Sequence, residues 1–260
     1  MESSIYQYPE IFRRVHMEAP GDIEREVIFL QAVARRHLMR PVRRVLDIAC
    51  GNSPHGQILA RSAIEVAGID RSPTMIAAGR AEAAGLNGLH FYRRRIEQFR
   101  LPEKPFDMAF FMSETFPIMI RNRDIIKHLE SVAALLKRGG LYCIDIDRQD
   151  GIELINTRTL WRERTVQAHK ALVEVREYHR PIEWHEGMQS IYELECTIHS
   201  GDRTVTTRDV IPVRYITPPL MDLIGLASRQ FEMIAAYADL SFTRPIGQCQ
   251  GRWLAVLRRM

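Results

Sequence analysis

Short apolar runs alternate with amphipathic stretches along residues 43–147. Residues 43–50 form a nearly continuous apolar run, the mark of a strand buried on both faces. Ser53-Pro54 then predicts a helix start, with Ser53 as N-cap and Pro54 in the first turn, where a missing N–H costs nothing. A second strand is expected at 64–70, "IEVAGID", followed by another Ser-Pro start, Ser72-Pro73, and a helix stop at Gly85. Two more strands follow at 88–93 and 106–112. In "RDIIKHLESVAALLKRGG", residues Ile125, Ile126, Leu129, Val132, Ala133 and Leu136 fall at helical spacing, and paired glycines close the helix before a fifth strand at 141–147.

This alternation predicts an α/β fold built on a doubly wound, mostly parallel sheet, with ligands bound beyond the carboxyl ends of its strands. After residue 150 the pattern changes to period two. Segments near 160–168, 171–179, 187–199 and 203–215 alternate polar and apolar residues, most plainly in "SIYELECTIH", which predicts an antiparallel β insert. A helix from "TPPLMDLIGLASR" and strands from "QFEMIAAYA" and "GRWLAVLRR" complete a seven-stranded sheet. The expected organisation is an N-terminal helical cap at 1–42, an α/β core at 43–150, the insert at 151–217, and the last helix and two strands at 218–260.

Composition narrows the setting. The chain has 260 residues, 46% of them hydrophobic, and a formal charge of only +4. No apolar run approaches the ~18 residues of a membrane span, and the N-terminus has no basic start with an apolar core, so no secretory signal is expected. The cysteines, Cys50, Cys143, Cys196 and Cys249, are far apart, which argues against a zinc site or disulfide framework and for a reduced, cytoplasmic setting. No metal is expected. Arginines cluster at 34–44 and 92–100 without any nucleic-acid-binding signature, so they read as a solvated surface.

The chemistry concentrates in "VLDIACGNSPHG", residues 45–56. Gly51 to Gly56 is a dinucleotide fingerprint whose middle glycine is replaced by Ser53. A side chain there obstructs a pyrophosphate, and Pro54 removes an N–H donor, so nicotinamide and flavin dinucleotides are disfavoured. An adenosyl ligand without phosphate, S-adenosylmethionine, loses much less.

At these motifs the chain resembles class I S-adenosylmethionine-dependent methyltransferases along nearly all of 43–258. "VLDIACG", "VAGIDRSPTMI", "FDMAFFMSETF" and "HLESVAALLKRGGLYCIDID" match successive family blocks. The insert resembles the antiparallel lid of glycine and amino-sugar N-methyltransferases. The resemblance implies that Asp70 accepts from the ribose hydroxyls and that Asp47 reaches the methionine amino group. Ala49, Gly51, Ser53, His55, Arg71, Met112 and Ser113 complete the cofactor set. Arg95 stands where many members place an adenine-reading Asp. It cannot accept a hydrogen bond, so Glu97 or the backbone around Ile96 must do so. Glu114 is the candidate general base for an amine acceptor, and Tyr6, Tyr8, Tyr178, Trp184, Arg214 and Tyr215 are candidate acceptor contacts. His128 reads as structural.

The implied function is methyl transfer to a nitrogen or oxygen of a small-molecule acceptor, without nucleic-acid or membrane partners; a homodimer is compatible with it. "MSETF" lacks the Asn/Asp-Pro-Pro-aromatic turn of base-amine methyltransferases, and "SETFPIMIRNRD" lacks the second glutamate of protein arginine methyltransferases. An RNA or protein methyltransferase and a non-catalytic adenosine-binding module are the competing readings.

Overall fold

The computed structural model describes residues 4–16, 21–103, 105–147, 158–168, 170–181 and 189–260. After α1 (Pro9–His16) and α2 (Asp22–His37) come β1 (Arg44–Ile48), α3 (Pro54–Arg61), β2 (Glu65–Asp70), α4 (Pro73–Glu82) and β3 (Leu89–Arg93). Next are β4 (Phe106–Phe111), α5 (Asn122–Leu135) and β5 (Leu136–Asp147). Four long strands follow, β6 (Thr159–Ala168), β7 (Ala171–Pro181), β8 (Gln189–Ser200) and β9 (Arg203–Arg214). The described chain closes with α6 (Pro218–Ala227), β10 (Phe231–Ala238) and β11 (Arg252–Arg259).

Seven strands form one sheet in the order β3-β2-β1-β4-β5-β11-β10. β11 runs opposite to the other six strands. Leu46, Ile48, Phe111, Ile144 and Trp253 pack from this sheet with Leu129 and Val132 of α5 into one core. Each such side chain contributes about 1.5–3 kcal/mol by leaving water. The chain divides into two compact units, Met1–Asp22 with Asp150–Tyr215 and Ile23–Gln149 with Ile216–Met260. The expected 1–42 segment is therefore shared, α1 falling in the unit of the insert and α2 almost wholly in that of the large sheet.

One helix ends earlier than its sequence pattern suggests. α5 stops at Leu135, and Leu136 is already extended at φ −86. The paired glycines lie inside β5, where pairing with β4 jumps from Phe106↔Leu136 to Met108↔Leu141. Gly139 is left-handed at φ +70, and a Cβ on Gly140 would stand 2.7 Å from the Lys137 carbonyl oxygen. These glycines permit a bulge.

The insert is an antiparallel meander, β6-β7-β8-β9. Val173, Val175, Leu194, Cys196 and Ile198 line its apolar face, which is covered by Ile5 and Val15 with Tyr6, Tyr8 and Phe12 beside them. Ser4 Oγ and the Ile5 N–H donate to the two oxygens of Asp209 at 2.7 and 3.0 Å. Arg164 reaches the Val15 carbonyl and pairs with Glu177. The N-terminal segment thus supplies the cover that the alternating strands require.

Candidate functional site

Strand order reverses between β1 and β4, with β2 and β3 on one side and β5 on the other. A crevice beyond the carboxyl ends of the strands at such a switch point is the usual ligand site of the fold. The loop after β1, Asp70 at the end of β2, and the turn after β4 all lie at those ends.

The loop after β1 repeats an uncommon conformation. Ala49, Gly51 and Ser53 have φ of 53, 55 and 55 degrees, left-handed at alternate positions. Residues bearing a Cβ pay roughly 1–2 kcal/mol there. Ser53 is consequently not the cap its place before Pro54 predicts, since capping needs an extended backbone. Its hydroxyl instead donates to Asp47 Oδ2 at 2.6 Å. The second Ser-Pro start behaves as expected: Ser72 is extended and its hydroxyl accepts from the Met75 N–H at 3.2 Å.

Asp47 is buried, and burial pushes its pKa up to about 6, with Asp70 adding to the rise and His55 and the Ser53 bond opposing it. Asp70 accepts one backbone N–H on each oxygen, from Ser72 at 2.7 Å and Gly51 at 2.9 Å. Burial outweighs these bonds and the charge and backbone N–H of Arg71, and raises its pKa as well. Each oxygen retains capacity for a second donor. Arg71 beside it is exposed.

His55 is buried in the first turn of α3 and bonds to Glu26 of α2. Glu26 accepts in turn from Arg252 at 2.5 Å, and Arg252 donates to Asp145 of β5 at 3.0 Å. Burial pushes Asp145 up to about 6 despite Arg252.

In the turn after β3, Arg95 is exposed and its guanidinium bonds Glu97 at 2.8 Å. Against the cost of burial, hydrogen bonds from its own N–H and from Arg95 hold Glu97 below the usual range. Ile96 is buried, and its carbonyl accepts from His128 Nδ1 at 2.6 Å. Burial lowers His128 to about 4, so the ring is neutral and its Nε2 accepts from the Tyr142 hydroxyl at 2.6 Å. After β4, Met112 is buried, whereas Ser113 and Glu114 are exposed and consecutively left-handed at φ 59 and 53. Backbone strain of this kind concentrates at ligand-handling turns.

The expected acceptor residues do not converge. Tyr6 and Tyr8 pack against the apolar face of the insert. Tyr178 and Arg214 pair with Glu193 and Gln189, which alternation places on the opposite face. Tyr178 carries the Arg158 guanidinium 3.3 Å from its ring centroid. Tyr215 is half-buried just after β9, and Trp184 lies outside the described residues.

Glu26, Asp145 and Arg252 were not singled out by the sequence pattern, yet each left a trace. Glu26 sits in the apolar stripe of α2 with Ile23, Val27 and Leu30. Asp145 interrupts "LYCIDID", and Arg252 opens the apolar run "WLAVL". Among the described residues no His/Cys/Asp/Glu group could hold a metal, and no helix is long and apolar enough to cross a membrane.

Residues 45–140 match the family described as a methyltransferase domain. A protein of Geobacillus sp. (strain WCH70) named as a methyltransferase is 23% identical over 56% of this chain and 56% of its own length. The matched stretches span about half the length of the first curated relatives. A solved S-adenosylmethionine-dependent methyltransferase from Clostridium acetobutylicum superposes with a TM-score of 0.76 at 15% identity, covering 96% of this chain and 95% of that one. An amino pentose methyltransferase from Micromonospora echinaspora, solved with SAM bound, gives 0.73 at 16% identity, covering 100% and 98%.

Proposed function

We propose, from the match of residues 45–140 to the methyltransferase domain family, that the crevice binds S-adenosylmethionine and that the protein transfers its methyl group to a nitrogen or oxygen of a small-molecule acceptor. One observation carries this reading. Buried Asp47 and half-buried Asp70 stand at the ends of adjacent strands beside the left-handed loop, and the cost of burial raises the pKa of each above the usual range in spite of the donors it has.

These residues fit a cationic adenosyl ligand. When bound, S-adenosylmethionine supplies an electrophilic methyl group on a positively charged sulfur. The Gly51 and Ser72 N–H groups fix the Asp70 carboxylate so that its remaining lone pairs accept from two ribose hydroxyls. Asp47 receives the amino group, and Ser53 holds its rotamer. Glu97 is the acceptor assigned to an adenine amino group, its carboxylate keeping lone pairs beyond those that take its own N–H and Arg95. His55 acts behind the loop, through Glu26. Glu114 takes the proton that an amine acceptor must lose to become a nucleophile. The insert is assigned acceptor choice, with Tyr178, Trp184, Arg214 and Tyr215 as the positions to vary. The small-molecule class draws support from the amino pentose methyltransferase with the same fold.

Asp70→Asn tests the reading, since Asn preserves shape. Calorimetric titration should show S-adenosylmethionine affinity reduced by about 1.5–3 kcal/mol. Unchanged affinity would remove Asp70 from the site. Turnover with small amines and phenols, but not with bulk tRNA, would separate small-molecule from RNA methylation.

A further inference from the structure

His55 and three charged side chains behind the crevice form one continuous chain within the large-sheet unit. It runs from His55 through Glu26 and Arg252 to Asp145. His55, Glu26 and Asp145 are 4%, 5% and 0% exposed, and the Arg252 side chain that joins the two acids is 23% exposed. The ends of the chain meet the crevice. His55 stands two residues after Ser53 in the first turn of α3, and Asp145 lies near the carboxyl end of β5. In register, Phe111 of β4 pairs with Ile144, which sets Asp145 level with Met112 at the end of β4.

Arg252 is the link. Its Nη2 serves Glu26 and its Nη1 serves Asp145, so a single planar fork spans two elements. Its own backbone is pinned, because the N–H groups of Gln250, Gly251 and Arg252 all donate to the Asp239 carboxylate at 2.8–3.2 Å. A buried ionic chain is a poor source of stability, since apolar side chains of equal volume do as well or better. What it provides is a defined geometry.

The geometry points to Arg252 as a positioning residue: its guanidinium locks the first turn of α3 to the ends of β4 and β5, so that the loop at 47–53 and the Ser113–Glu114 turn keep one mutual placement. The functional part of this inference rests on the reading of the crevice as a cofactor and acceptor site. A methyl donor and its acceptor held by separate strand ends need that fixed placement, because small misalignments are costly in a displacement.

Two variants test it. Arg252→Lys keeps the charge but replaces the fork by a single point. Arg252→Met/Glu26→Gln/Asp145→Asn removes every buried charge of the link at once and guards against a variant that fails to fold. In both, native-state hydrogen exchange at Gln57, whose N–H donates to the Ser53 carbonyl at 2.9 Å, should quicken. We expect a change of about fivefold or more there, with Ile76 in α4 unchanged. Turnover should fall about tenfold or more, with a smaller change in S-adenosylmethionine affinity. Unchanged exchange at Gln57 in both variants overturns the proposal, as does wild-type turnover in the triple variant. If the wild-type chain binds no S-adenosylmethionine while exchange still quickens, the functional reading fails and the brace stands. If it binds and turns over but exchange does not move, the brace alone fails.

Discussion

Asp107 and Asp47 sit on neighbouring strands of the same sheet, at opposite ends, 1% and 2% exposed. Asp107, at the start of β4, accepts from Lys137 at 2.7 Å, the Arg43 and Arg44 N–H groups at 2.9 and 3.1 Å, and Arg40 at 3.2 Å. Against the cost of burial, Lys137 and these other donors hold it below the usual carboxylate range. Asp47, at the end of β1, has the Ser53 hydroxyl, and burial pushes it up to about 6. Burial is nearly equal; the supply of donors differs. A buried acid saturated by its own protein serves the fold, whereas one left under-served at a crevice is prepared for a positive partner that the protein does not itself provide.

The largest effect should come from the saturated acid. Asp107→Ala strands two backbone N–H groups and two cations, and should cost about 3 kcal/mol in urea unfolding while the folded protein keeps its cofactor affinity. A loss below about 1 kcal/mol would mean that the four donors find water at no expense. The contrast between the two ends would then lose its energetic basis.

The second effect is a pH dependence of opposite sign at the two ends. The pKa of Asp107 is lowered in the fold, so its stabilisation is full above the unfolded carboxylate value and is lost as pH falls through the folded value. That of Asp47 is raised, so its contribution is full below the unfolded value and is lost as pH rises through about 6. Asp145, also near 6, adds to the same trend. Asp47 should therefore contribute a loss on the order of 2–3 kcal/mol between about pH 4 and pH 6, while buried His128, lowered to about 4, adds stability over the same range. Thermal unfolding should show the stability of Asp47→Asn relative to wild type rising across this range, and saturating S-adenosylmethionine should shrink that difference. Identical curves for Asp47→Asn and wild type would show that Asp47 meets no penalty on ionising.

Most of this architecture is legible from periodicity. Strands buried on both faces write continuous apolar runs, and the insert strands write strict alternation, so both sheets can be placed from residue pattern alone. What escapes is whatever depends on partners distant in sequence. Glu26 and Arg252 lie far apart along the chain, and nothing local announces that they meet. Local chemistry also misleads where geometry overrides it. The same Ser-Pro pair is a cap at Ser72 and a left-handed loop residue at Ser53, because only the second follows the tight return from β1. The glycines at 139 and 140 read as a helix stop but open a bulge. The site's strand-end acids are legible because the doubly wound pattern fixes where strands end; their donor counts are not.

The smallest effects test the loop itself. Ala49 and Ser53 share a left-handed backbone at φ 53 and 55, yet only Ser53 has a side-chain bond to Asp47. Ala49→Gly relieves the strain of a Cβ, roughly 1–2 kcal/mol, against about 0.5–1 kcal/mol of added chain entropy in the unfolded state. A gain of about 0.5 kcal/mol in urea unfolding is expected. Ser53→Gly gains the same relief but removes the hydroxyl that donates to Asp47, a bond of about 1 kcal/mol, so its stability at neutral pH should change little or fall slightly. The two variants separate further with pH. Without the Ser53 hydroxyl the ionised form of Asp47 loses its hydrogen bond, its pKa moves higher still, and the penalty for ionising Asp47 extends to higher pH than in wild type. Ala49→Gly should leave that profile parallel to wild type. If Ser53→Gly stabilised the protein as much as Ala49→Gly at neutral pH, the bond to Asp47 would carry no weight, and Asp47 would be under-served to the point of having no effective donor at all.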